Sequence, residues 1–179
     1  MVVIFLGEGF EETEAIAPYD LLKRAGVDVV FAGVGGTEIK GAHGITVKTE
    51  TTAETIMADC PEMVVLPGGL GGVNSMSASD AVRKITLRVW EQGGYVAAIC
   101  AAPTLLAKLG ITEGRKATCY PGMVKQMGSA KMKNASTVTD GRLITGRAPG
   151  SAIDFGLELV AVLKGKTEAM KVASGFVYR

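Results

Sequence analysis

Short runs of consecutive apolar, largely β-branched residues alternate along the chain with segments in which apolar positions recur every three or four residues. An uninterrupted apolar run predicts a strand buried on both faces, and the longer period predicts a helix with one face in the core. Val2–Leu6 reads as the first strand. Residues 11–25 follow, with Ala15, Tyr19, Leu22 and Ala25 on one side and charges opposite, a helix that Gly26 terminates. A second strand is predicted over 27–32, and the glycine-rich stretch 33–50, with Ile39, Ile45 and Val47 alternating, reads as a small hairpin-like excursion. Met63–Leu66 is a third core strand that ends in Pro67-Gly68-Gly69. A helix over 81–91 directs Val82, Ile85, Val89 and Trp90 to the core and is closed by Gly93-Gly94. Tyr95–Ile99 is the next strand and runs without a spacer into Cys100 and a helical stretch over 101–109. Residues 115–147 are the least regular, with strands expected over 116–118, 136–139 and 143–145, before helices over 151–163 and 167–174. Strands alternating with helices in this way predict an α/β fold whose mostly parallel sheet is covered by helices on both faces. No repeat, linker or low-complexity tract interrupts it, so residues 1–179 are expected to form a single domain.

Composition narrows the function classes. Lys plus Arg number 19 against 18 Asp plus Glu, a formal net charge of +1, which leaves no global basic field for nucleic acid or an anionic membrane. The apolar runs fall far short of the roughly 20 residues that cross a bilayer, so no membrane span is expected. The N-terminus lacks the basic and long apolar regions of a secretory signal, which predicts a cytoplasmic protein. Cys60, Cys100 and Cys119 are an odd number at irregular spacing and fit neither a disulfide framework nor a CxxC zinc pattern. His43 is the single histidine, which limits imidazole chemistry and His-rich metal sites, and no metal is expected. Gly is 24 of 179, and tight turns between short elements follow from it.

Three motif-like strings carry little. Gly7-Glu8-Gly9-Phe10-Glu11-Glu12 sits where a dinucleotide fingerprint would, but Glu12 replaces the third glycine and three acids surround the helix start where a pyrophosphate would dock. Gly165-Lys166-Thr167 lacks the earlier glycine of a P-loop, and the sequon Asn134-Ala135-Ser136 has no meaning in a chain without a signal. The informative string is Ala97-Ala98-Ile99-Cys100-Ala101-Ala102-Pro103, a strand that turns abruptly into a helix with small residues around one cysteine. Such a turn holds its central residue in strained geometry at the sheet edge, and a helix N-terminus there favours the thiolate. A small cysteine that merely packs fits the same string, and the string alone leaves both readings open. Gly68 and Gly69 end a neighbouring strand at the carboxyl edge of the sheet, where bare backbone N–H groups serve either an oxyanion or an ordinary turn. Glu11-Glu12-Thr13-Glu14 begins the helix after the first strand at the same edge, and most of these acids suit the helix dipole while one is placed to point inward.

Together Glu11-Glu12-Thr13-Glu14-Ala15, Leu66-Pro67-Gly68-Gly69, the cysteine string and Pro149-Gly150-Ser151-Ala152-Ile153-Asp154-Phe155 occur in the order and spacing of the ThiJ/PfpI superfamily. The chain resembles the branch that holds the parkinsonism-associated deglycase and the bacterial YajL-type proteins, over nearly its whole length. The resemblance implies a flavodoxin-like three-layer α/β sandwich, usually a homodimer, with Cys100 as the reactive cysteine on the elbow. It maps the family's glutamate onto Glu14, protonated and donating to the sulfur or its oxidised form, and the backbone donors onto Gly68, Gly69 and Ala101. A protonated carboxyl favours a thiolate whereas an ionised one opposes it, so the two groups titrate as a pair. The activity implied is cofactor-free conversion of methylglyoxal, glyoxal or glycated groups in carbonyl and oxidative stress. The rival is a redox sensor or chaperone switched by oxidation of Cys100. A protease of the PfpI type ranks below both, because it depends on a histidine near the nucleophile.

The chain departs from part of that family at Thr118-Cys119-Tyr120-Pro121, where several relatives carry a histidine. Tyr120 then either caps the site as a donor or packs on its wall. Cys119 is a candidate to resolve an oxidised Cys100, against the alternation that turns strand neighbours to opposite sides. His43, in Gly41-Ala42-His43-Gly44, stands where relatives carry an arginine near the dimer interface, and solvated surface is its other reading. Asp20, Arg24 and Arg147 are read as interface or surface charges, Met123, Met127 and Met132 as a soft patch or core, and Cys60 as a buried spectator.

Overall fold

The computed structural model describes residues 1–58 and 60–178. In chain order its strands are β1 (Val2–Leu6), β2 (Val29–Gly33), β3 (Glu38–Lys40), β4 (Thr46–Lys48), β5 (Thr51–Thr52), β6 (Met63–Leu66), β7 (Tyr95–Ile99), β8 (Lys116–Ala117), β9 (Lys131–Met132), β10 (Thr137–Asp140) and β11 (Leu143–Gly146). The helices are α1 (Glu12–Arg24), α2 (Leu70–Ala78), α3 (Asp80–Glu91), α4 (Pro103–Lys108), α5 (Ala152–Lys164) and α6 (Lys166–Gly175). Seven strands form one sheet in the order β10-β11-β7-β6-β1-β2-β5, with every neighbouring pair parallel except β10 and β11. The five strands from β2 to β11 follow the 2-1-3-4-5 order of a flavodoxin-like sheet. The three-layer α/β fold is the one expected from the sequence.

The apolar runs are continuous because each strand feeds two cores. Val2, Ile4, Leu6, Met63, Val65, Ala97 and Ile99 enter one, with residues of α1, α5 and α6. Val3, Phe5, Val64, Leu66, Val96 and Ala98 alternate with them into the other, with residues of α2, α3 and α4. Burying one such Leu or Ile side chain contributes about 1.5–3 kcal/mol, so register slips by one residue are strongly opposed. Helix α5 lies close on α1 at Gly156, where a β-carbon would stand 2.7 Å from Leu21 Cδ1 and 3.0 Å from Pro18 Cα. This contact holds α1, and the acids at its start, against the body of the protein.

The structure departs from the expected elements in a few places. Helix α2 carries no sequence signal, since Leu70-Gly71-Gly72 is poor helix material. Its glycines instead let the helix approach the β1–α1 loop, where a β-carbon on Gly72 would lie 2.7 Å from Phe10 Cα. Strands β5 and β9 are two residues each, too short to show a period. Helix α4 starts at Pro103, which takes the first helical turn, and 100–102 form a turn before it. Trp90 is half-buried, with the Arg115 and Arg142 guanidinium carbons 4.8 and 4.4 Å from its ring centre. Cys60 is exposed, not buried as expected, because it lies in the loop before β6, outside either core. Among the described residues no helix is long and apolar enough to cross a membrane.

Candidate active site

Ligands in an open parallel sheet bind beyond the carboxyl ends of the strands where the strand order reverses, here between β1 and β6. Three segments converge there: the start of α1 after β1, Pro67-Gly68-Gly69 after β6, and Cys100 after β7. Cys100 has φ +65, a left-handed backbone that costs a residue with a β-carbon about 1–2 kcal/mol. Hydrogen bonds hold it there from both sides. Its N–H donates to the Gly146 carbonyl at 3.0 Å, and its carbonyl accepts from the Tyr120 N–H at 2.7 Å. Ala97, Ala98, Ala101 and Ala102 are all buried around it, which explains the small residues of the string.

Glu14 reaches the cysteine because helical periodicity places it in line with Pro18 and Leu21 on the buried stripe of α1. Glu11 caps the helix, its carboxylate accepting the Glu14 N–H at 2.8 Å. The Glu14 side chain is fully buried, and its Oε2 accepts the Gly68 N–H at 2.8 Å. Its Oε1 is buried with no hydrogen-bond partner, and the carboxyl and the Cys100 thiol act on each other's titration. Gly68 makes this possible, since a β-carbon there would collide with Glu14 Oε2 and lie 2.8 Å from Cys100 Cβ.

Burial raises the Glu14 carboxyl to about 7, with the Glu11 charge adding to the rise and hydrogen bonds from Cys100 and Gly68 opposing it. Burial also raises the Cys100 thiol, to about 12, and an ionised Glu14 adds to that, against the backbone N–H groups of Ala101 and Gly69. Two anions are therefore excluded from the site at once. A proton on Glu14 removes the repulsion and supplies a donor to the sulfur, which is the coupling expected from the sequence.

Two expectations change. Gly68 does not offer its N–H to a reacting oxygen, because Glu14 Oε2 occupies it; the donors that face the sulfur are Gly69 and Ala101. The thiol is raised, not lowered, because the six-residue α4 begins only at Pro103, leaving two backbone N–H groups against burial and a carboxylate.

The other named residues stand apart from this pair. Tyr120 is 45 % exposed, and its backbone, not its hydroxyl, bonds to Cys100. Cys119 is buried in a small cluster with Ala117 and Met127, flanked by Met123 and Met132, whereas Cys100 belongs to the main core. The Cys119 thiol donates to the Tyr120 carbonyl at 3.3 Å, and burial pushes it up to about 11. All three cysteines are free. His43 sits on the exposed β3–β4 turn and pairs with Glu12, Nδ1 to Oε2 at 2.7 Å, while its N–H donates to Glu12 Oε1 at 2.7 Å. Glu12 raises the His43 pKa; burial works against Glu12 ionisation, but the His43 bonds outweigh it and hold the carboxyl low. Glu11, Glu12 and His43 bring one donor atom each within 4.8 Å of one another, a grouping the sequence did not suggest because the turn and helix are about thirty residues apart. Asp20 and Arg24 pair on one helix face at 2.8 Å. Sequence reasoning missed Glu11 as the cap and Gly146 as the anchor of the elbow; only the position of Gly146 at a strand end hinted at it.

The DJ-1/PfpI family model matches residues 1–162. The chain is 39% identical to the protein dj-1beta of Drosophila melanogaster over 98% of this chain and 95% of that one. It is 34% identical to a deglycase of Pyrococcus horikoshii over 92% of this chain and all of that one. The crystal structure of Drosophila melanogaster DJ-1beta superposes with a TM-score of 0.96 at 38% identity, covering 99% of this chain and 97% of that one. Toxoplasma gondii DJ-1, solved in a form described as oxidized, superposes equally well, TM-score 0.96 at 30% identity, over 99% and 97% of the two chains.

Proposed function

Because the chain belongs to the DJ-1/PfpI family, we propose that it is a cofactor-independent deglycase-type enzyme that acts on methylglyoxal, glyoxal or glycated groups through Cys100. One observation carries the reading: a fully buried carboxyl, raised to about 7, interacts with the thiol of a backbone-strained cysteine. Groups titrating near neutrality serve as both acid and base. With methylglyoxal the Glu14 carboxylate takes the Cys100 thiol proton as the sulfur bonds to the aldehyde carbon, and gives that proton to the resulting alkoxide while Gly69 and Ala101 donate to it. The Glu14 carboxylate then removes the hydrogen from that carbon and passes it to the ketone oxygen, giving an enediol, and next takes the proton of the first carbon's hydroxyl and delivers it to the neighbouring carbon. One carbon is oxidised and its neighbour reduced, leaving a thioester that water cleaves to lactate and free Cys100. The relatives named as deglycases support the assignment. The enzyme works in the cytoplasm as one domain per chain. It assembles as a homodimer in which exposed Ile16 of α1 and Ile45 beside His43 are covered.

Lactate formation from methylglyoxal by the wild type, Cys100→Ser and Glu14→Gln tests this. Both variants should fall to background, and background turnover by all three would overturn it. The donors around the sulfur equally suit the oxygens of a sulfinic acid, and an oxidized relative is known. A redox-switched role is the second reading. It is tested by the mass of Cys100 under graded peroxide, where selective gain of two oxygens supports it and indifference of Cys100 removes it.

A further inference from the structure

Between Glu113 and Asp140 the chain carries Arg115, Lys116, Lys125, Lys131 and Lys133 and no acid, although the molecule as a whole is nearly neutral. This stretch contains β8, β9 and the tight helical turn Pro121–Gln126, and with Arg147 it encloses a cleft of about 290 Å³. At ~30 Å³ per water that is room for about ten waters, or for a phosphate or carboxylate on a short carbon chain. Lys133 and Arg147 line it together with Thr118, Asn134, Val124 and Met132, and no acid lines it. Among the described residues neither cation has an ion-pair partner. Unpaired cations in a cleft with uncharged walls attract an anion, and the planar guanidinium suits carboxylate and phosphate oxygens.

Two main-chain hydrogen bonds tie the segments that carry the cleft to the backbone of Cys100. Tyr120, between the cleft residues Cys119 and Pro121, bonds to the Cys100 carbonyl, and Gly146, directly before Arg147, accepts the Cys100 N–H. The acids Glu12 and Glu14 belong to α1 instead, and Glu11 caps it. We propose that this cleft is the subsite for the anionic group, carboxylate or phosphate, of the carbonyl substrate, with Arg147 and Lys133 as its counter-ions; the word substrate rests on the enzyme reading above. An anionic tail drawn into the cleft and repelled by the acids of α1 orients the carbonyl on Cys100.

The test uses the full chain in a Cys60→Ser background and compares alkylation of Cys100 by iodoacetate and by neutral iodoacetamide. Removing two nearby cations should lower the iodoacetate-to-iodoacetamide rate ratio about three- to tenfold in Lys133→Ala/Arg147→Gln at low salt. Lys116→Ala/Lys131→Ala removes an equal charge outside the cleft and should change the ratio less than about twofold, and Lys133→Ala/Arg147→Lys should recover part of it. Millimolar inorganic phosphate should slow iodoacetamide in the parent and not in the double variant if phosphate is accepted; the ratio change without such protection assigns the subsite to carboxylates. An unchanged ratio, or an equal fall in Lys116→Ala/Lys131→Ala, overturns the subsite. Because alkylation needs no turnover, a charge-selective Cys100 that forms no product from glyoxylate or methylglyoxal would retain the subsite and remove the enzyme reading.

Discussion

Glu14→Gln takes one charge out of the buried pair and leaves its shape nearly unchanged. The amide oxygen still accepts the Gly68 N–H, and the amide nitrogen takes the place of the buried Glu14 Oε1. Above pH about 7 the native carboxyl is ionised, and burial together with that charge holds Cys100 near 12. Two unit charges about 4 Å apart at an effective dielectric of about 20 repel by ~4 kcal/mol, equivalent to about three pH units. Burial of the thiol remains in the variant, so the midpoint for Cys100 alkylation should fall by about two to three pH units. The assay is the iodoacetamide rate against pH in a Cys60→Ser background, with intact mass confirming one adduct, because Cys60 is exposed and would compete. A midpoint that moves upward, or by less than about half a pH unit, refutes the electrostatic coupling and removes Glu14 as the proton carrier.

The same carboxyl links folding to pH. Glu14 rises from 4.5 to about 7 on folding, so between those values the native state holds more protons and stability falls as pH rises, by up to ~3 kcal/mol. Urea unfolding at pH 5 and pH 8 should show this decline in the wild type and not in Glu14→Gln; parallel curves contradict it. Cys100→Gly should be at least as stable as Cys100→Ala despite losing a methyl group, because relief of the left-handed backbone offsets about 1 kcal/mol. A melting temperature several degrees higher for the alanine variant would show that no strain is stored. His43 is the single histidine, so one ring resonance reports it by NMR. Its midpoint should drop towards 6.5 in Glu12→Gln, and an unmoved midpoint would break the Glu12–His43 pairing.

Much of the elbow was legible because strain and close packing leave a local trace. A strand ending at a cysteine amid four alanines announces a turn that tolerates no bulk, and the left-handed Cys100 bears that out. The carboxyl edge was legible too, since each site segment directly follows a core strand. The direction of the thiol shift was not. It depends on the burial of Glu14 and on how many N–H groups reach the sulfur, and the short α4 supplies fewer than a full helix start would. The fate of Gly68 was equally hidden, because a bare N–H serves a reacting oxygen or a carboxylate according to what stands opposite.

By itself, then, the sequence determined the strand runs, their two-sided burial, the strained cysteine and an acid placed to point inward from the helix after the first strand. These are consequences of periodicity and local sterics, which act within a few residues. Only the tertiary structure decided that Glu14 takes the Gly68 N–H, that Glu12 and not the nucleophile holds His43, that Cys119 lies in a cluster of its own, and that Lys133 and Arg147 share a cleft. The Glu14–Gly68 and Glu12–His43 pairs join groups 54 and 31 residues apart and the other two join neighbouring loops and strands, and hydrogen bonding, burial and charge act through space, at distances that only the folded arrangement sets.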